Sequence, residues 1–474
     1  MNMDKQTTSH SSRTLFVMIS SFLLSPIAAQ TPWTLRQCAD YAVSHNISIK
    51  QQENQRKQQE LRLSTARNSR LPDLSASASE SFSFGRGLTL DNTYTNRSTS
   101  STAFSIGTSI PLFTGFQIPN QIKLNRLNLE AATQDLEKAK NDIQMQVAQA
   151  YVQILYDMEM ADVAHRQIAI DSAQVLRLQT FVNNGKASQA ELSQQQATLA
   201  QAKLTATQAD NNRQLALLAL TQLLELPSPE GFTIVRPELS ALPGISAPSA
   251  LPALPATTPA ASAAGPSPAL AAGLSPEAIY QEALTLKPEI QAEQLRLAAS
   301  ERNIDIARAA LYPTLSLSAG LQTNYYKTDG MKAASFSSQM KNNFSQYVGL
   351  NLSVPIFNRF QTRNNIRSAR IERENQLLQL DQVKKSLYKE IQQVYYNAVA
   401  ADSKYRSSEA ATLSSRDAFL LTQAKYENGK ASITEFNEAK NNYLKTESDL
   451  VQARYELLYQ TALIDFYRGS ALSF

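Results

Sequence analysis

"NNGKASQAE" occupies residues 183–191 and "ENGKASITE" residues 427–435, 244 positions apart. In each phrase a glycine, Gly185 or Gly429, suits the left-handed position that ends a helix. A serine follows, Ser188 or Ser432, three residues before Glu191 or Glu435, which is the S-x-x-E capping box of a new helix. Helix stop and helix start within six residues make a sharp reversal. Two copies of one reversal predict a duplicated helical hairpin with each phrase at its tip.

Other landmarks keep the spacing. "LPDLSASA" (71–78) aligns with "YPTLSLSA" (312–319) at an offset of 241, and "SIPLFTGF" (109–116) with "SVPIFNRF" (353–360) at 244. A constant offset on both sides of a small insertion is what duplication produces, and repeats set architecture. The expected organisation is a first repeat over 30–226, a linker over 227–275, a second repeat over 276–468 and a tail over 469–474. Eleven of the 19 prolines fall in 227–276. A run such as "APSALPALPATTPAASAAGPSPAL" supports neither helix nor ladder and reads as an extended surface segment.

Inside each repeat lie two stretches with a period of two. Over 74–84, Leu74, Ala76, Ala78, Phe82 and Phe84 alternate with serines; 103–113, 315–325 and 348–356 alternate likewise. Such strands have one apolar and one polar face. Polar loops near 86–100 and 327–343 join them into hairpins over 71–113 and 312–357. Strands of this kind form either a half-buried sheet or the wall of a transmembrane barrel, and about ten residues per strand suits a tilted membrane crossing. If these strands span a membrane, four are too few to close a barrel and open edges do not survive in lipid, so several copies must pool them. Three copies supply twelve.

Pro111 and Pro355 are expected to stop their ladders. Long helices follow, over 119–182 and 362–426, on the order of 95–100 Å each. Val147, Ile154, Ala161, Ile168, Val175 and Val182 form a heptad series, with Ile391, Ala398, Tyr405, Thr412, Phe419 and Tyr426 as repeat partners. Half-length helices are expected over 34–70, 189–226, 276–311 and 433–467. Two half-length helices end to end match one long helix, which places their junctions and the linker in a belt at mid-height.

The remaining composition excludes more than it assigns. The apolar run "TLFVMISSFLLSPIAAQ" (14–30), preceded by Lys5 and Arg13, reads as a signal peptide over 1–29. A formal charge of +4 with both signs scattered offers no nucleic-acid surface. Cys38, His10, His45 and His165 are too dispersed for a metal site, and no catalytic motif stands near them.

Together the duplicated halves, the internal strand hairpins, the "P-L/I-F" exits at Pro111–Phe113 and Pro355–Phe357, the tips and the closing "LIDFYRG" (463–469) resemble the TolC-like outer-membrane efflux family. The resemblance implies a mainly α protein with a β-barrel portion: a homotrimer with a twelve-stranded barrel in outer-membrane lipid and a helical tunnel in the periplasm. It implies an exit duct without enzymatic activity or cofactors, whose partners are a periplasmic membrane-fusion adaptor and an inner-membrane transporter. Gly185, Lys186, Ser188, Gly429, Lys430 and Ser432 then fall at the adaptor-contact tips. Glu435 and Glu438 match the acidic ring of the periplasmic gate, Glu191 a latch carboxylate and Tyr426 a latch tyrosine. The family's latch arginine is replaced by Ala431, with Lys430 beside it. Cargo is open, since drug efflux, metal efflux and type I polypeptide secretion share such ducts. A trimeric coiled-coil adhesin is the competing class, but it carries its barrel segment at the C-terminus, where this chain reads helical.

Overall fold

Two 67-residue helices set the long dimension of the computed structural model, which describes residues 32–88, 93–237 and 275–472. They are α3 (Gln117–Asn183) and α8 (Gln361–Glu427), each about 100 Å long. Each begins at a turn where a phenylalanine, Phe116 (φ 68°) or Phe360 (φ 63°), takes the left-handed conformation. Its ring stands edge-on to Phe113 at 5.3 Å or Phe357 at 5.5 Å. The 35-residue return helices α4 (Gln189–Leu223) and α9 (Ile433–Tyr467) pack along α3 and α8 from the tips to mid-length.

The other halves of the long helices are covered by α2 (Ile47–Asn68) and α6 (Pro288–Ala309), preceded by α1 (Leu35–His45) and α5 (Pro276–Leu286). The single helices expected over 34–70 and 276–311 are therefore each broken in two. Asn46 takes an extended backbone and caps α2, its Oδ1 accepting from the Ser48 N–H at 2.9 Å. Lys287 precedes Pro288, and the residue before proline is pushed out of the helical region. Each break residue also closes the end of a return helix. Asn46 Nδ2 donates to the Leu223 carbonyl and Lys287 Nζ to the Phe466 carbonyl, both at 3.1 Å.

These joints lie near the middle of the long helices and form a belt, where apolar burial is densest. Val147 and Ile154 pack with Leu220, Leu224 and Phe232, and Ile391 and Ala398 with Ile279 and Ile464. Trp33 bridges Ile234 in parallel, and the Tyr151 hydroxyl donates to the Val235 carbonyl at 2.6 Å. Segment 227–237, read from sequence as linker, is thus built into the belt because Phe232 and Ile234 supply apolar anchors. The proline-rich run itself and the stretch expected over 1–29 as a signal peptide lie outside the described residues.

The heptad partners Ile391, Ala398, Tyr405, Thr412 and Phe419 are all buried. On α3, Val147, Ile154 and Ala161 are buried, but Ile168, Val175 and Val182 are only half-buried. Toward the tip the buried stripe moves to Ala164, Asp171, Gln174 and Leu178.

The strands β1 (Asp73–Leu88), β2 (Tyr94–Thr114), β3 (Thr314–Thr328) and β4 (Ser345–Ser353) form one antiparallel sheet in the order β1-β2-β3-β4. β1 and β2 extend into most of the region expected as loop. In the second hairpin that region instead holds a short helix, α7 (Phe336–Asn342). Pro111 does not end its ladder; β2 continues to Thr114 with a register shift between Pro111 and Phe113, a bulge that tolerates the missing N–H. β1 and β4 are free edges. Among the described residues no layer covers the apolar face: Leu74 is 78% exposed and Val348 77%. Among the described residues no helix is long and apolar enough to cross a membrane.

Candidate functional site at the helical tips

Local chemistry dictates both tips. At the end of α3 the Gly185 N–H donates to the Val182 carbonyl at 3.0 Å and the Lys186 N–H to that of Phe181 at 2.8 Å. At the end of α8 Gly429 donates to Tyr426 at 3.1 Å and Lys430 to Lys425 at 2.8 Å. This paired closure requires a left-handed residue, and the glycines sit at φ +66° and +70° with open space around them. The capping boxes then start α4 and α9. The Ser188 and Ser432 hydroxyls each accept from the N–H three residues on at 3.2 Å, while Glu191 and Glu435 accept from the serine N–H groups at 3.0 and 2.7 Å. Gly185, Lys186, Ser188, Gly429, Lys430 and Ser432 are all exposed.

The residues expected at the gate are only partly gathered within one chain. Tyr426 is half-buried, its ring stacked on Phe436 at 5.1 Å. Burial raises its hydroxyl's pKa; Arg177 opposes that and Glu191 adds to it, so Glu191 lies within electrostatic reach. Glu435 and Glu438 share one exposed face of α9, a turn apart and away from that cluster's aromatic core.

Sequence reasoning missed two features. The first is Arg177, whose guanidinium lies 5.1 Å over the Tyr426 ring and donates from Nη2 to the Glu427 carbonyl at 3.0 Å. It ties the first hairpin to the second, although the slot expected for an arginine is Ala431. Its repeat partner is Leu421, so the duplication gave no cue. The second is a polar layer above the tips. Asp171 and Lys440, both wholly buried, form an ion pair between α3 and α9. Gln195 on α4 donates to Asp171 at 3.1 Å and accepts from Asn437 at 3.1 Å. Asp171 Oδ2 has no partner. An aromatic set on the second hairpin completes the region, with Phe419 5.7 Å from both Phe436 and Tyr443.

At the belt, a cavity of about 560 Å³ opens among α3, α6, α8 and the end of α9. Lys287 lines it, 3.8 Å from the Phe466 ring centroid, and burial pushes its ammonium down to about 8. Among the described residues no group of side chains is arranged to hold a metal ion.

A family model described as outer membrane efflux protein matches residues 39–225 and 279–469. The cation efflux system protein CusC of Escherichia coli is 27% identical over 192 residues, 39% of this chain and 38% of CusC. The pyoverdine export outer membrane protein OpmQ of Pseudomonas putida is 24% identical over 344 residues, 72% of this chain and 64% of OpmQ. The matched stretches therefore span less than two thirds of either relative. The crystal structure of CusC superposes with a TM-score of 0.72 at 17% identity, covering 92% of each chain, a likeness of fold.

Proposed function

This chain belongs to the outer membrane efflux protein family, and from that premise we propose that three copies form a passive exit duct. A twelve-stranded barrel crosses the outer membrane, and a tunnel of helices reaches through the periplasm to an adaptor and an inner-membrane transporter. The observation that carries the reading is the sheet: four strands with two free edges and an uncovered apolar face. Unpaired edges are forbidden in hydrocarbon, and closure removes them. A detergent-solubilised sample should weigh three chains by native mass spectrometry. A single-chain mass overturns it.

At the other end, the six exposed tip residues offer the adaptor a polar surface held rigid by paired caps. Glu191, Tyr426, Glu435 and Glu438 form the gate, with Arg177 holding Tyr426 against the first hairpin. Three copies of Glu435 and Glu438 make an acidic ring whose field draws cations. Glutamine at both positions keeps the capping contact of position 435 and removes the charge. Bilayer recordings should then show a clear loss of cation preference; unchanged selectivity refutes the ring. Cargo is set upstream of such a duct. CusC and OpmQ are named for cation efflux and pyoverdine export, two different cargoes.

A further inference from the structure

The two strand hairpins carry the same register residue by residue. Advancing β1 by 241 and β2 by 244 turns Leu74↔Thr108 into Leu315↔Leu352, and Ala78↔Phe104 into Ala319↔Val348. All nine observed pairs of β3 with β4 are reproduced this way. The duplication therefore preserved pairing geometry as well as sequence.

The same transformation applies to the one pairing that joins the repeats. β2 advanced by 244 becomes β4, and β3 set back by 241 becomes β1. Within one chain those two strands are the opposite free edges, so the transformed ladder falls between copies. Ser105↔Gln322 becomes Gly349↔Ser81, and Phe104↔Thr323 becomes Val348↔Phe82. From this we infer that β4 of one copy pairs antiparallel with β1 of a second copy over nine rungs, from Ser345 opposite Gly85 to Ser353 opposite Ser77. The inference deepens the three-copy reading and rests on it.

Two further observations agree. The register keeps the faces in phase: Val348 meets Phe82 and Leu352 meets Ala78, with Glu80 beside Leu350 and Gln346 beside Phe84 as the mixed rungs, and Gly349 meets Ser81 and Ser353 meets Ser77 on the other face. A slip of one residue would put Val348 against a serine and mix the faces. Above Ser345, α7 stands where β4 would continue. The Gln339 amide accepts from the Tyr326 N–H and donates to the Tyr326 carbonyl, both at 2.9 Å, and Asn343 Nδ2 donates to the Asn324 carbonyl at 2.7 Å. Side chains thus satisfy β3 there, and the seam ends at that rung.

Paired cysteines test the seam in a Cys38→Ala background. Ser81→Cys with Gly349→Cys should oxidise to a covalent trimer on a non-reducing gel, since facing strand positions meet disulfide geometry. Gly349 has room, the nearest atom to an added Cβ being Ser318 Oγ at 3.7 Å. Phe82→Cys with Val348→Cys samples the adjacent rung of the same register. Ser79→Cys or Ser83→Cys with Gly349→Cys represents a two-residue slip and should stay monomeric on the gel. Bridging at a slipped pair, or none at either seam pair in a sample that weighs three chains, overturns the register alone. A sample that weighs one chain removes the three-copy reading and the seam with it.

Discussion

The two repeats share one backbone and bury different chemistry. Both tips close with the same pair of glycine hydrogen bonds and restart with the same capping box. Above them, the first hairpin contributes Asp171, Gln195 and Arg177, whereas the second contributes Lys440 and Asn437 as their partners and the aromatic set Phe419, Tyr426, Phe436 and Tyr443. At the belt the contrast recurs, with neutral Asn46 in one repeat and charged Lys287 in the other closing equivalent helix ends. Conformation was kept where the chain reverses, and side chains diverged wherever one hairpin meets the other. Divergence of that kind turns two equal halves into complementary ones.

The strongest way to break this complementarity is Lys440→Met. It strands Asp171 as a buried, unpaired charge, a loss of roughly 3–5 kcal/mol. The double variant with Asp171→Leu should recover most of it, measured by denaturant unfolding in detergent. No recovery would mean that packing rather than charge pairing sets the loss.

Phe436 and Leu192 are repeat equivalents, 0% and 1% exposed. Phe436→Ala should cost about 3–5 kcal/mol and Leu192→Ala about 2–5, with the aromatic loss the greater. Equal losses would remove the asymmetry between the hairpins.

Lys287→Asn transplants the first repeat's neutral solution into the second. Around Lys287 stand Glu289 on α6, Asp142 on α3 and Glu390 on α8, and burial outweighs them. Below about pH 8 the folded protein carries the buried ammonium that the unfolded chain keeps in water. From about 8 to 10.5 the unfolded chain still holds the proton and the folded one does not, so stability rises with pH across that window. Thermal melts should show the wild type gaining on the variant between those values. A constant difference would contradict the assignment.

Arg177→Ala is the mildest change, removing near the surface a cation–π contact of about 0.5–1 kcal/mol and the hydrogen bond to the Glu427 carbonyl, about 0.5–1.5 kcal/mol. In the proposed gate, that is a rise of about fivefold or more in spontaneous open time in bilayer recordings. No rise would confine Arg177 to packing.

What the sequence reveals and what it hides follows from the range of each interaction. The tips are legible because stop, cap and restart lie within six residues. Strand faces are legible because alternation needs no partner. The Lys287 break was also readable, from Pro288 beside it, and Asn46 carries a capping side chain before "IS". By contrast Asp171 and Lys440 stand 269 residues apart, and as isolated letters they resemble any solvated charges. The heptad series drew attention to Ile168 and Val175, whereas tertiary pairing buried Asp171 and Gln174 between them. Phe232 and Ile234 sat within a proline-rich context that masked their anchoring role.

The long helices pass the belt without interruption while their shorter neighbours are jointed there. Half of α3 or α8 is a lever arm of about 50 Å. A tilt of about 5° about the waist would swing its far end by roughly 4 Å, more than the width of a water molecule. In the proposed duct, small rotations at mid-height are therefore enough to change an aperture at the mouth, with no hydrogen bond of the long helices stretched.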